Sequence, residues 1–268
     1  MPAKIKITED QAREFYRLRK EEKESYAAIG KRFGISAQTV QRRIIDLGVD
    51  LESIPIKFSY DRYYFYDIDS AAKAYWLGFI TADGYVNEDR NFLQINLGWK
   101  DHDHLEKFIR AIQGDMEIKT VIHNITKNKI ASLTINGKEM VKGLVANGVR
   151  QGKSCHEQPP TRVPDVFIPD YIRGLWDGDG HIGKRKIDLR SSFPMCSWVQ
   201  NYLLKKCPHM HKGAISFESN IYRFSVCSDR IEVLDLLYYP GVSKEIVLDR
   251  KYKDAKIFKL RDIKSSAV

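Results

Sequence analysis

A nine-residue segment, Trp76-Leu-Gly-Phe-Ile-Thr-Ala-Asp-Gly84, returns in altered form as Ile172-Arg-Gly-Leu-Trp-Asp-Gly-Asp-Gly180. Both copies end in Asp-Gly, and both carry small residues four apart, Gly78 with Ala82 and Gly174 with Gly178. Residues four apart share one helical face, so each copy offers a flat stripe on which two helices can approach closely. Asp83 and Asp179 then stand at the helix ends. A helix C-terminus already carries partial negative charge, so two carboxylates in that position imply a compensating cation, most simply a divalent metal.

The stretches of chain after the two copies repeat as well. After Gly84 the pattern predicts strands at Tyr85–Asn87 and 92–99, a helix over 102–112, strands over 117–125 and 129–135, and a helix over 138–146. After Gly180 it predicts strands within 181–191, a helix over 195–205, strands over 214–218 and 222–226, and a helix over 230–237. Leu93, Ile95 and Leu97 alternate as in a strand with one buried face, and Ile221, Phe224 and Val226 do so imperfectly. Asp101 and Ser228 precede two of these helices and are expected to cap them. The blocks close at Gly148-Val149 and Gly241-Val242, similar distances past their Asp-Gly pairs (148−84 = 64; 241−180 = 61). A duplicated unit of helices and strands is the simplest reading.

The paired segments resemble the motifs of the LAGLIDADG homing endonucleases, in the form where one chain carries both copies. The resemblance spans roughly residues 70 to 260 on the repeat argument. It implies an α+β fold of two pseudo-symmetric αββαββα repeats with curved antiparallel sheets, and the two motif helices packed at a pseudo-two-fold axis. It also implies that Asp83 and Asp179 bind metal over a DNA duplex, with Gly78, Ala82, Gly174 and Gly178 packing the helices. The metal would be Mg²⁺ or Mn²⁺, with Ca²⁺ supporting binding without cleavage. Members usually place a basic residue after the last helix of each repeat. Lys153 matches that position in the first; Lys244 and Lys251 both suit the second, with Lys251 ranked lower. Asp177 has Thr81 as its counterpart, so it is read as a local support rather than a shared catalytic group. The family often has a glutamine at the end of the second strand, where this chain reads Gly98-Trp99-Lys100.

Composition fits a nucleic-acid partner. The 268 residues carry a formal net charge of +9. Between Lys31 and Arg43 stand four basic residues and no acid, and between His181 and Lys212 seven Lys/Arg against Asp188. Such patches displace the counterions condensed on a phosphate backbone. In the family fold, sheet residues reach the major groove; here those would be Asn87, Arg90, Gln94 and Asn96, with Lys184, Lys186, Asp188 and Arg190 as counterparts. Strand alternation means that one set of each pair faces the bases, and the pattern leaves open which. The four cysteines form no CxxC pair, and Cys207-Pro-His-Met-His211 matches no common zinc spacing, so no zinc is expected.

The first fifty residues differ in kind. Tyr26 to Ile44 resembles a helix-turn-helix, with Ala28, Ile29 and Phe33 facing a small core, Gly34 at the turn and Ser36 capping the second helix. Val40 and Ile44 would point inward; Gln38, Thr39, Gln41, Arg42 and Arg43 would face DNA. A supporting helix is expected over 9–22. The expected organisation is a helix-turn-helix domain over 1–50, a linker over 51–69, a first repeat over 70–154, an inter-repeat linker over 155–165, a second repeat over 166–262 and a tail. The aromatic run Tyr63-Tyr-Phe-Tyr66 suits a linker that packs against the following domain rather than floating.

The expected function is site-specific cleavage of both strands of a long, partly asymmetric DNA target, with short 3′ overhangs, by a pseudo-symmetric monomer. The alternatives are a catalytically silent LAGLIDADG-type transcription regulator and an RNA-binding intron maturase. No segment is apolar for long enough to span a bilayer. The expected setting is intracellular, cytoplasmic or nucleoid-associated, in a bacterium or phage. Without a terminal His-Asn pair the chain does not resemble an intein, which leaves an intron-encoded or free-standing enzyme.

Overall fold

The structure is a computed structural model, and it describes residues 7–22, 24–49, 58–152 and 155–265. The chain divides into two compact units, Met1–Tyr60 with Gly114–Met116, and Asp61–Gln113 with Glu117–Val268.

The smaller unit holds α1 (Glu9–Lys20), α2 (Tyr26–Phe33) and α3 (Ala37–Asp46). Each begins at a hydroxyl that accepts a hydrogen bond from an early backbone N–H: Thr8, Ser25 and Ser36. Gly34 ends α2 at φ +69°, a left-handed conformation that costs glycine little. Phe15, Leu18, Ile29, Val40 and Ile44 form the core, with Phe33 packed against it. Ala28, expected inside, is exposed, because it lies in the first turn of α2, where its N–H meets Ser25 Oγ.

The larger unit contains both blocks. The first runs α4 (Ala71–Asp83), β1 (Gly84–Asn87), β2 (Phe92–Gly98), α5 (His102–Ala111), β3 (Lys119–Ile122), β4 (Lys129–Asn136) and α6 (Lys138–Ala146). The second runs α7 (Ile168–Asp179), β5 (Gly180–Ile182), β6 (Ile187–Ser191), α8 (Phe193–Lys206), β7 (Ala214–Glu218), β8 (Ile221–Val226) and α9 (Arg230–Leu237), and α10 (Asp249–Ser265) comes after it. The two antiparallel sheets have the same strand order, β1-β2-β4-β3 and β5-β6-β8-β7. The registers also correspond, since Gly84 pairs with Ile95 as Gly180 pairs with Leu189. Gly148 and Gly241 close the two blocks at φ +89° and +86°.

Several boundaries differ from expectation. Strand β3 is only four residues long, an exposed edge strand bounded by its pairing to β4. Helix α8 starts two residues earlier than expected, because Ser192 caps it and Pro194 is tolerated in the first turn. Neither Asp101 nor Ser228 caps as expected. The Asp101 carboxylate is held by Arg250 of α10 at 3.0 Å, and α9 starts beyond Asp229, whose own carboxylate accepts from His211. The aromatic run does pack: Tyr64 and Phe65 are buried, and Asn147 Nδ2 donates to the Phe65 carbonyl at 2.8 Å. Among the described residues no helix is long and apolar enough to cross a membrane.

Candidate active site

Helices α4 and α7 pack on each other at the centre of the larger unit. From Ala74 to Thr81, and from Tyr171 to Asp177, every residue is buried; α4 is apolar on nearly all sides, whereas α7 also buries Arg173 and Asp177. Glycine permits the approach. A Cβ on Gly78 would lie 2.0 Å from the Tyr171 carbonyl oxygen, and one on Gly174 2.0 Å from the Tyr75 carbonyl oxygen. These contacts are reciprocal. Tyr75 and Tyr171 each stand three residues before the glycine of their own helix, so the two helices exchange equivalent contacts about a local two-fold.

The hydroxyls exchange in the same way. Tyr171 donates to Thr81 Oγ1 at 3.3 Å, and Tyr75 donates to Asp177 Oδ2 at 2.7 Å. Thr81 and Asp177 are repeat counterparts, and there the symmetry ends. Asp177 also accepts from the Tyr238 hydroxyl at 2.5 Å and from the Leu248 N–H at 2.7 Å, so it ties α7 to the segment that leads into α10. Burial pushes its carboxyl above the usual range, against the opposing pull of the Lys251 charge and these hydrogen bonds. Arg173, fully buried, donates to the carbonyls of Ile246 and Leu237 and to Asp170. It fastens the same returning segment.

Both helices pass directly from their aspartate into a strand, with Gly84 and Gly180 extended. Asp83 is half-buried and Asp179 exposed. The Asp83 carboxylate reaches across to the other helix: its Oδ2 lies 3.4 Å from where a Cβ on Gly178 would stand. The paired C-termini thus bring together carboxylate oxygens and backbone carbonyls. This is a hard, all-oxygen donor set, suited to Mg²⁺, Mn²⁺ or Ca²⁺ rather than to softer metals. Asp83 and Asp179 are the residues of this set that could hold a divalent cation.

The basic residue that the structure brings here is Lys251, which the sequence pattern ranks below Lys244. Its Nζ donates to the carbonyls of Trp176, Asp177 and Gly178 at 2.7, 2.6 and 3.0 Å. An ammonium has three donors, and all three are engaged on the C-terminus of α7. Burial lowers its pKa to about 8, against the charge of Asp177 and, more weakly, of Asp83 and Asp179. Lys244 is exposed and lies beside Asp249, Tyr252 and Lys253, away from these carbonyls. Proximity in sequence to the block's closing turn favours Lys244, but helical geometry turns Lys251 inward. Lys153 lies outside the described residues.

Burial of Lys251 makes stability depend on pH. The unfolded chain keeps the proton up to its usual value of 10.5, the folded chain only to about 8. Between these values the unfolded state binds more protons, so this group makes stability rise with pH across that window. The stability difference between wild type and Lys251→Met should therefore move in favour of wild type from pH 8 towards 10.5. Urea denaturation at several pH values reads it, and a pH-independent difference would mean that Lys251 titrates normally.

The sheets place the remaining expected residues. Leu93, Ile95 and Leu97 are buried against helices, so Gln94 and Asn96 lie on the open face. Asn87 is largely occupied: its Oδ1 accepts from the Arg90 N–H at 2.7 Å and holds the β1–β2 turn. Arg90 and Lys184 stand in the turns before β2 and β6 rather than in strands. Lys186 pairs with Asp188 at 3.2 Å, and Arg190 is exposed on β6. In the smaller unit, Gln38, Gln41, Arg42 and Arg43 are exposed on α3, with Arg43 3.3 Å from Asp46. The Thr39 hydroxyl meets Ser36 Oγ at 2.8 Å and so belongs to the cap. Trp99 begins a short turn and stacks on His102, with centroids 4.7 Å apart. Burial pushes the thiols of Cys196 and Cys207 up to about 11.

Residues 70–146 match the family model described as LAGLIDADG-like domain. The chain carries a LAGLIDADG-like domain. The matched stretch runs from the cap of α4 to the end of α6, and the second block repeats its order of elements and its sheet topology. No curated protein matches the chain. Among solved structures, the homing endonuclease I-WcaI bound to its DNA recognition sequence is similar at 16% identity and a TM-score of 0.48, over 69% of this chain and 87% of that one. The LAGLIDADG meganuclease I-CpaMI bound to uncleaved DNA stands at 14% and 0.48, over 72% and 92%. Full-length DUF199/WhiA from Thermatoga maritima stands at 9% and 0.46, over 78% and 72%.

The Tyr75–Tyr171 exchange and Arg173 escape sequence reasoning, as do the long-range partners of Asp177, which the sequence marks only as a local support. The tyrosines could have been found by extending the repeated motif to the residue three positions before its first glycine. The counterparts of Asp177 and Arg173 in the other repeat are Thr81 and Leu77, which differ in charge, so duplication gives no signal for their roles.

Proposed function

We propose that this protein is a divalent-metal-dependent endonuclease that cuts both strands of a specific DNA site. The observation that carries the reading is the crossing of α4 and α7, which sets Asp83 and Asp179 at adjacent helix C-termini. Held there, a divalent cation would supply the positive charge that lowers the pKa of an attacking water and stabilises the departing oxygen. Asp83 and Asp179 would hold it, Asp83 from a half-buried position against the opposite helix and Asp179 from an exposed one. Lys251 keeps its three protons on the α7 carbonyls. It offsets the negative helix end that leads into Asp179, and with its pKa lowered to about 8 it carries that charge at neutral pH and loses it as the pH rises. Lys153 is the basic residue proposed for the first repeat.

Binding is proposed to use the open faces of both sheets, with Gln94, Asn96, Lys186 and Arg190 as reading residues and Arg90 and Lys184 on phosphates. The smaller unit is proposed as a helix-turn-helix that lays α3 in the major groove, with Gln38, Gln41 and Arg42 towards the bases.

The experiment is selection of duplexes from a random library by the full-length protein in Ca²⁺, then addition of Mg²⁺ and mapping of ends. The expected result is one bound site, cut on both strands with short 3′ overhangs and protected further on one side, where the smaller unit binds. A site that is bound but stays intact in Mg²⁺ and Mn²⁺ would replace the endonuclease with a DNA-binding regulator. Preference for structured RNA over every duplex would point to a maturase.

A further inference from the structure

The two open sheet faces have the same strand register but different side chains at their equivalent central positions. On the first sheet, Gln94 lies between Tyr85 and Thr134, and Asn96 lies opposite Ser132. Val121 and Ile130 extend that surface into a groove of about 410 Å³ beside Gln94 and Asn96. The centre of the face is built of amides, hydroxyls and aliphatic groups, with Lys119 at its edge opposite Ser132 and His123 lining the groove. On the second sheet the equivalent register places Asp188 between His181 and Ser225, and Arg190 opposite Arg223.

Two arginines directly across a pair of strands repel each other. Arg223 is partly compensated by Glu218 at 2.5 Å, while Arg190 stays exposed at the surface. Asp188 is spent inside the protein, accepting from Ser225 and from Lys186, and so holds Lys186 on the same face. The second sheet therefore presents Arg190 facing Arg223 at the position where the first has Asn96 facing Ser132, and a partner rich in acceptors would relieve that repulsion.

Base edges sort these chemistries. Asn and Gln bind adenine through N6 and N7, and aliphatic groups meet the thymine methyl. Arg and Lys bind guanine through O6 and N7. We propose that the DNA target is compositionally asymmetric, with an A·T-rich half under the first sheet and a G·C-rich half under the second. The inference rests on the proposed DNA-binding reading and deepens it. Asn96 and Arg190, which occupy equivalent register positions, are the residues that set the difference.

The test sequences the duplexes that full-length wild type, Asn96→Ala and Arg190→Ala retain from a random library in Ca²⁺. Both residues are exposed, so folding should survive either change. Wild type should recover a site with one half enriched in A·T and the other in G·C. Arg190→Ala should relax one or two positions of the G·C half by about tenfold, and Asn96→Ala should do the same in the A·T half. A recovered site of equal composition in both halves would overturn the inference while leaving DNA binding intact. Relaxation of the A·T half by Arg190→Ala would overturn it too. If no duplex is enriched at all, the DNA-binding reading falls and takes this inference with it.

Discussion

Asp83→Asn and Asp179→Asn should each slow double-strand cleavage on the order of 10²–10³-fold or more, while DNA binding in Ca²⁺ persists. Asparagine keeps the size and one oxygen of the aspartate but removes the charge that would hold a cation. The closest part of the helix crossing is made by Gly78, Gly174 and the tyrosine carbonyls, and asparagine keeps the size with which Asp83 reaches Gly178. Folding should therefore be little affected. Affinity without metal should hold or rise, since a carboxylate facing phosphates is repelled by them. Cleavage assays at saturating protein, beside filter binding, separate the two effects. If the double asparagine variant cuts like wild type, Asp83 and Asp179 are not the metal ligands.

The largest effect on stability is expected at the helix crossing. Gly174→Ala would force a methyl to within 2.0 Å of the Tyr75 carbonyl and 2.7 Å of the Phe79 nitrogen, and Gly78→Ala meets Tyr171 at the same closeness. These are backbone atoms within helices and cannot swing aside as a side chain could. The helices must separate, and the cost should reach roughly 3 kcal/mol, the upper end for overpacking. Alanine is otherwise the better helix former by about 1 kcal/mol, so a destabilising result isolates the packing term. Gly98, where a Cβ meets nothing within 4 Å, serves as the control; Gly98→Ala should stay within about 0.5 kcal/mol of wild type. Denaturation midpoints at fixed m-value read these differences. Equal stability of all three variants would mean that the close approach is not what the glycines provide. Helix separation should also lower cleavage, because it moves Asp83 away from Gly178 and Asp179.

The duplication was legible in the sequence because it is written in local features: glycine spacing, Asp-Gly ends and strand alternation. Helix α6, strand β7 and helix α9 fall where the sequence places them, since each is short and is followed by a clear stop: Asn147-Gly148, Ser219-Asn220 and Pro240-Gly241. Residues at helix and strand ends were less legible. Asp101 resembles a cap, but a long-range arginine, Arg250, competes for its carboxylate and wins. The helix start at Ser192 was hidden because a proline comes two residues later, which local reading treats as a break and a helix's first turn tolerates.

The sequence by itself determined that two related units exist, that each ends a small-residue helix on an aspartate, and that the chain is basic. These depend on residues near one another along the chain. Only the tertiary structure decided which lysine reaches the C-terminus of α7. Lys251 comes from the helix after the second repeat, far from α7 in sequence, and is recognised by three carbonyls that carry no sequence signature. It also decided that Asp177 is a buried junction: its three donors, Tyr75, Tyr238 and Leu248, come from three separate stretches of chain. The face of each sheet was settled in the same way. Strand alternation divides residues into two sets, but only packing of Leu93, Ile95 and Leu97 against the helices says which set is left for a partner.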